Sequence, residues 1–164
     1  IFRRIDILPA LPGLLLLVGV QADAGESAAP PKLLLWANTP AAGGPSWQSS
    51  VYPLGNGRLG CTVLGAPRLD RIQFNEDSLW VGNEDNTGAY QPFGNIYLET
   101  AHTNFTAYRR ELDISRAVQT VTYESGGVSY KREYFSSHPA QVVVIRLTAS
   151  KAGALSRSDS AEHA

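Results

Sequence analysis

An all-β fold, an antiparallel sandwich, is what this chain predicts, on three observations. From Leu33 onward apolar and polar residues alternate with a period of two. Turn formers are frequent, with 15 Gly and 10 Pro in 164 residues, which leaves short strands between many reversals. Outside the first two dozen residues no segment sustains a 3.6-residue apolar period, so long amphipathic helices are not expected. A barrel meets the same three observations, and periodicity does not separate the two.

The elements follow in order. Arg3 and Arg4 precede the apolar run from Leu8 to Val20, and Ala22, Asp23 and Ala24 close it as a small-x-small triplet. A basic head, about a dozen apolar residues and such an end predict a secretory signal over 1–24, cleaved after Ala24. A membrane anchor needs about 20 apolar residues, and Pro9, Pro12 and Gln21 interrupt or end this run. The expected destination is the periplasm or the exterior, with no membrane attachment after cleavage. Residues 25–32 form a flexible lead, and 33–155 the sandwich. No Met occurs, even at position 1, so the chain is expected to begin within a gene.

In Gly57–Gly65 the alternation puts Leu59, Cys61 and Val63 on one face, with Arg58, Gly60 and Thr62 on the other. Gly65–Asp70 is a turn, and Ile72 and Phe74 then point inward, giving a hairpin. Strands follow over 93–100, 108–114, 117–125, 128–137 and 141–149, with the clearest hairpin at Gly126 and Gly127. Val142–Ile145 is apolar on both faces, which predicts a central strand buried on both sides. Residues 156–164 are polar and featureless and are expected to be a disordered tail, as if the chain were cut near Ser156 with its last strand unpaired.

Composition removes several functions. The 14 basic and 15 acidic residues give a net charge of -1, and without a basic stripe no nucleic-acid partner is expected. The single cysteine, Cys61, excludes internal disulfides, CxxC pairs and Cys-based zinc sites, and reads as a small core residue. GxSxG, HExxH, P-loop and GxGxxG motifs are lacking. Residues 82–88 echo a calcium loop, but the twelfth position, which needs a bidentate Glu, is Gly94. His102 and His138 read as surface residues, and the Asn104-Phe105-Thr106 sequon has meaning only in a glycosylating host. No metal or cofactor is implied.

The candidate chemistry lies in Asn75–Trp80, NEDSLW. Paired carboxylates suggest glycosidic acid–base work, yet neighbouring strand residues point to opposite faces, so Glu76 and Asp77 cannot be that pair alone. A structural reading has Asp77 or Ser78 capping a turn and Trp80 plugging the core. Trp36, Trp47, Trp80 and the seven tyrosines could stack on sugars or fill the interior.

Taken together, PLGNGRLGC (Pro53–Cys61), RIQFNEDSLW, AYQPFGNIYLE, YRRELDISRAV and SGGVSYKREYFSSHPAQVVVIRL resemble, in this order, the N-terminal domain of glycoside hydrolase family 95, the inverting α-L-fucosidases. The resemblance covers 33–155. It implies a β-sandwich that accompanies a separate helical (α/α)6 catalytic barrel acting on fucosylated oligosaccharide or polysaccharide. It also implies inverting hydrolysis, which needs no cofactor. The family's catalytic Glu, Asp and Asn have no counterparts here, so no catalytic residue is assigned. The short VGNEDNTGAYQ link, where the family often carries a helical insertion, leaves fucose and galactose both open as the sugar. Gly55, Gly57 and Gly60 let the backbone turn and approach a neighbour closely. In the family setting, Asn56, Arg58, Asn75, Glu76, Asp77 and Trp80 are expected at a substrate rim or interdomain edge. A free-standing carbohydrate-binding module is the other reading.

Overall fold

In a computed structural model of the chain, residues 32–155 and 158–163 are described. The predicted signal, 1–24, and the predicted lead, 25–32, apart from Lys32, therefore lie outside the described residues. Twelve strands and one 3-10 turn, Gly44–Ser49, make up the structure, and no α-helix forms among the described residues.

One five-stranded antiparallel sheet runs, edge to edge, β1 (Leu34–Ala37), β8 (Thr106–Asp113), β9 (Val118–Ser125), β10 (Val128–Ser137) and β11 (Val142–Ala149). The second runs β12 (Ser158–His163), β7 (Gly94–Glu99), β4 (Leu69–Glu76), β3 (Leu59–Val63) and β2 (Tyr52–Gly55). A small ribbon pairs β5 (Trp80–Val81) with β6 (Ala89–Tyr90). Inward residues of both sheets share one core, including Leu54, Cys61, Val63, Ile72 and Leu98 from the second and Leu112, Val121, Tyr123 and Tyr134 from the first. The sandwich is thus the architecture, and the barrel is not.

Local chemistry explains the connections. Ser125 pairs with Val128, leaving Gly126 and Gly127 as a two-residue turn with φ of +57° and +73°. That left-handed pair matches the right-handed twist of flanking strands and suits glycine. The β3–β4 hairpin forms as the alternation predicts, with Cys61 opposite Phe74 and Val63 opposite Ile72. Cys61 is a buried free thiol, pushed up to about 11 chiefly by burial.

Four expectations fail. β11 is an edge strand rather than a central one: it pairs with β10 alone among the described residues, and Val142 is 44% exposed. Composition reports that both faces are apolar, and it does not say which neighbour covers them. Ser158–His163, expected in a disordered tail, pairs along β7 from Glu99 to Gly94. Backbone N–H and C=O groups on a sheet edge accept any sequence that can extend, so no apolar alternation was needed. The tryptophans are not core: Trp36 is 58% exposed and Trp80, expected as a plug, 46%. Tyrosines take that place, because their rings fill volume while their hydroxyls find partners. His102 is half-buried rather than a surface residue, its ring tilted against that of Tyr130 with centroids 4.1 Å apart and Nδ1 2.8 Å from the Tyr123 hydroxyl.

Candidate functional site

The glycine-rich stretch that opens the family resemblance is the β2–β3 hairpin. Gly55 faces Gly60 as the last pair, the Asn56 N–H donates to Leu59 O at 3.1 Å, and Gly57 takes a φ of +94°. Only glycine adopts that geometry without cost. Asn56 holds the tip together: its Oδ1 accepts from the N–H groups of Arg58 (3.1 Å) and Leu59 (2.7 Å). Its Nδ2 donates to Ser137 O at 2.9 Å, at the end of β10. One side chain therefore closes the turn and ties the second sheet to the first.

Leu59 faces Glu76 across the ladder, which delivers the end of β4 to this tip. Arg58 Nε lies 2.8 Å from Glu76 Oε1, and the Asp77 N–H donates to Arg58 O at 3.0 Å. Glu76 Oε2 accepts from the Ser78 N–H at 2.9 Å and also from the Ser78 hydroxyl. The turn at 76–79 is thus capped by Glu76, not by Asp77 or Ser78. These bonds, Ser78 first and then Arg58, hold the Glu76 carboxyl down at about 2. A carboxyl held low by its donors is a poor proton donor at neutral pH. The corner offers instead a half-exposed guanidinium, with the Arg58 side chain 55% accessible and that of Glu76 14%.

The structure brings Asn56, Arg58, Glu76 and Asp77 into this one corner. Asn75 is adjacent in sequence but belongs to the opposite face of β4, opposite Gly60. Its Oδ1 accepts from the Glu76 N–H at 2.9 Å. Trp80 sits on the β5–β6 ribbon opposite Tyr90, reached through the Ser78–Trp80 turn. In the calcium-like segment Asn83 Oδ1 accepts from the N–H groups of Asp85 and Asn86, so this residue organises its own turn. No group of three or more His, Cys, Asp or Glu able to hold a metal occurs among the described residues.

Sequence reasoning missed a second polar constellation, inside the sandwich. Asp70, 0% exposed, accepts from the Tyr134 hydroxyl at 2.5 Å and the Gly65 N–H at 2.7 Å, with Arg132 Nη1 at 3.5 Å. Arg132 in turn donates to Ala66 O at 3.0 Å, Pro67 O at 2.5 Å and the Tyr123 hydroxyl at 2.8 Å. Tyr108 donates to Gly65 O at 2.9 Å. The β3–β4 turn is thereby gripped from the other sheet. Burial pushes Asp70 above the usual carboxylate range, against the pull of Arg132 and Tyr134. The available signal was period two itself, since Tyr130, Arg132 and Tyr134 alternate on one face and Asp70 is in phase with Ile72.

Two packed antiparallel sheets with a polar corner at a glycine hairpin define a β-sandwich module. Comparison with known proteins gives it a family. The family model described as Glycosyl hydrolase family 65, N-terminal domain, matches residues 35–89 and 83–162, and the chain belongs to that family. Alpha-L-fucosidase 2 of Arabidopsis thaliana is 34% identical over 156 residues, covering 70% of this chain and 18% of that protein. Probable alpha-fucosidase A of Aspergillus niger is 26% identical (70% and 20%), and the Aspergillus oryzae protein of the same name 24% (69% and 21%). These names agree with the family 95 resemblance, and the chain is an N-terminal domain of that kind. It spans about a fifth of the length of these relatives.

Proposed function

We propose that the chain is the N-terminal sandwich of an exported, inverting glycosidase that removes terminal fucosyl residues, with the acid and base housed in a helical catalytic domain outside this sequence. The fucosidase names of the relatives support the substrate class. The observation that carries the role is the corner. Asn56 is bonded to both sheets, Glu76 is locked ionised, and Arg58 is left half-exposed. That is a rigid recognition edge, not a reacting pair, and it is suited to dock on the barrel or to rim its pocket.

The test is alanine at the position matching Glu76 in a full-length relative. The expected result is a changed kcat/KM on a fucosyl substrate or a lowered melting temperature of the interdomain transition. Unchanged kinetics together with unchanged melting would remove the corner from this role. Release of free fucose by the 164-residue chain alone would overturn the division of labour. Export is read from the residues at the amino end, and N-terminal sequencing of secreted protein should begin at Gly25. The free-standing carbohydrate-binding reading draws on Trp36 and Trp80, which stand outside the core. Several hundred in-frame codons beyond this sequence would decide for the hydrolase reading.

A further inference from the structure

The outer face of the second sheet carries a feature that neither the corner nor the core uses. Thr62 on β3, Gln73 on β4 and Asn95 on β7 stand side by side, since Thr62 pairs with Gln73 and Gln73 with Asn95. One hydroxyl and two carboxamides thus form a row across three strands. In the next row Asn75 faces Gly60, whose missing side chain leaves the surface recessed. Trp47, from the 3-10 turn, and Pro92 wall a cleft of about 460 Å³ over Thr62, Gln73 and Asn75. Small-molecule sites run roughly from 300 to 1,000 Å³.

The chemistry of this cleft is selective. No charged side chain lines the floor, and the neighbouring Arg71 guanidinium lies over the Trp47 ring at 5.5 Å, so the floor itself suits a neutral ligand. Carboxamides and hydroxyls donate and accept together, and that is the pattern a pair of neighbouring sugar hydroxyls requires. Tryptophan and proline supply the apolar surface that the C–H face of a pyranose covers. In the floor of the cleft Thr62 Oγ1 is buried without a protein partner among the described residues, and buried polar atoms in native proteins nearly always have one.

We infer that this cleft is a binding subsite for a neutral oligosaccharide, separate from the rim at Arg58 and Glu76. The inference rests on the reading of the chain as part of a glycan-active protein, and it places a second glycan contact on the sandwich itself. There the subsite would hold the chain of the substrate while the fucosyl end is cleaved elsewhere.

The experiment is an NMR titration of the ¹⁵N-labelled 164-residue chain with 2′-fucosyllactose, lactose and cellotriose, each to about 20 mM, a range suited to the weak binding of a single subsite. Saturable shifts are expected for the Gln73 and Asn75 side-chain amides and the Trp47 indole N–H with at least one sugar. Gln73→Ala and Trp47→Ala should weaken binding roughly tenfold, about 1.4 kcal/mol. Thr62→Val, which keeps the shape and removes the hydroxyl, tests the row should either alanine variant unfold. Glu99→Ala, exposed on the same sheet but outside the cleft, should leave the titration unchanged, while the kinetics of the full-length relative test the corner, so the two failures are read separately. No saturable shift with any of the three sugars would overturn the proposal. So would shifts that map away from the cleft, or that survive Gln73→Ala and Thr62→Val alike.

Discussion

Strand β4 carries a carboxylate–guanidinium pair at each end, and the two pairs behave in opposite ways. At one end Asp70 and Arg132, 0% and 4% exposed in their side chains, are sealed between the sheets. At the other end Glu76 and Arg58 meet at the surface, 14% and 55% exposed. Inside, burial dominates and the Asp70 carboxyl rises above its usual range despite its donors. Outside, hydrogen bonds dominate and Glu76 falls to about 2. The same two functional groups therefore make a structural clamp where water is excluded, and a presentable charge where it is not. Desolvation, and not the identity of the partners, decides which.

The largest expected effect comes from breaking the inner pair. Asp70→Ala leaves the Arg132 guanidinium buried without its carboxylate, and the Tyr134 hydroxyl and Gly65 N–H without an acceptor. Removing one member of a buried pair costs about 3–5 kcal/mol, read as a large fall in the urea midpoint. Arg58→Ala, the same kind of removal at the rim, should leave the midpoint nearly unmoved because water solvates what remains. Equal losses for the two variants would erase the contrast.

Next in size is the turn that the clamp grips. Gly65 has a φ of +76°, and a Cβ there would lie 2.9 Å from the Tyr108 hydroxyl and 3.0 Å from Val121 Cγ2. Both neighbours belong to the packed core, so Gly65→Ala combines left-handed strain with a clash, for about 2 kcal/mol in all. The corresponding substitution at Gly57, where φ is +94° but nothing lies within 4 Å, carries the strain alone, about 1 kcal/mol. Urea melts of the two variants isolate the packing contribution by difference.

A gentler probe is Tyr134→Phe, which removes one hydroxyl from Asp70 and keeps the ring in the core. An unmade hydrogen bond to a buried carboxylate costs about 1–3 kcal/mol. Its effect should be smaller in an Asp70→Asn background, a double-mutant cycle that assigns the loss to that bond.

These variants also mark what the sequence could reveal. Seven strands were legible, because period two survives wherever one face is buried, as in Tyr130, Arg132, Tyr134 and Cys61, Val63. β1 was not singled out, since Leu34, Leu35 and Trp36 are all exposed and show no contrast between faces, and β2 is only four residues long with a proline among them. β12 carries no apolar alternation at all. Arg132 and Asp70 were in phase with the core, yet charge argued against burial, and only tertiary pairing reverses that. At the corner, Asn56, Arg58, Glu76 and Asp77 were grouped by the family resemblance, while the residues alone offered only the glycine-rich turn and the neighbouring carboxylates of NEDSLW. The division of Asn75 from Glu76 follows from alternation, while the partner each finds depends on which strand lies alongside.

The smallest effect tests the comparison through pH. Glu76 has an ordinary value of 4.5 and a folded value near 2. A lowered folded value means stability that is present above about 4.5 and is lost as pH falls towards 2. Asp70, raised by burial, contributes in the other sense, with stability greatest below the ordinary carboxylate range and declining as pH climbs above it. The two ends of one strand should therefore tilt the pH profile in opposite directions. Glu76→Gln should flatten the acid side, so that urea midpoints of variant and parent differ at pH 5 and converge near pH 2. Part of the slope remains, because Lys131 and Arg146 hold Glu133, and Ser115 holds Asp113, below their ordinary values as well. Parallel curves for the parent and Glu76→Gln from pH 5 to 2 would show that the rim carboxylate is no more tightly held when folded than when unfolded. The corner would then lose the preorganised charge on which its proposed role depends.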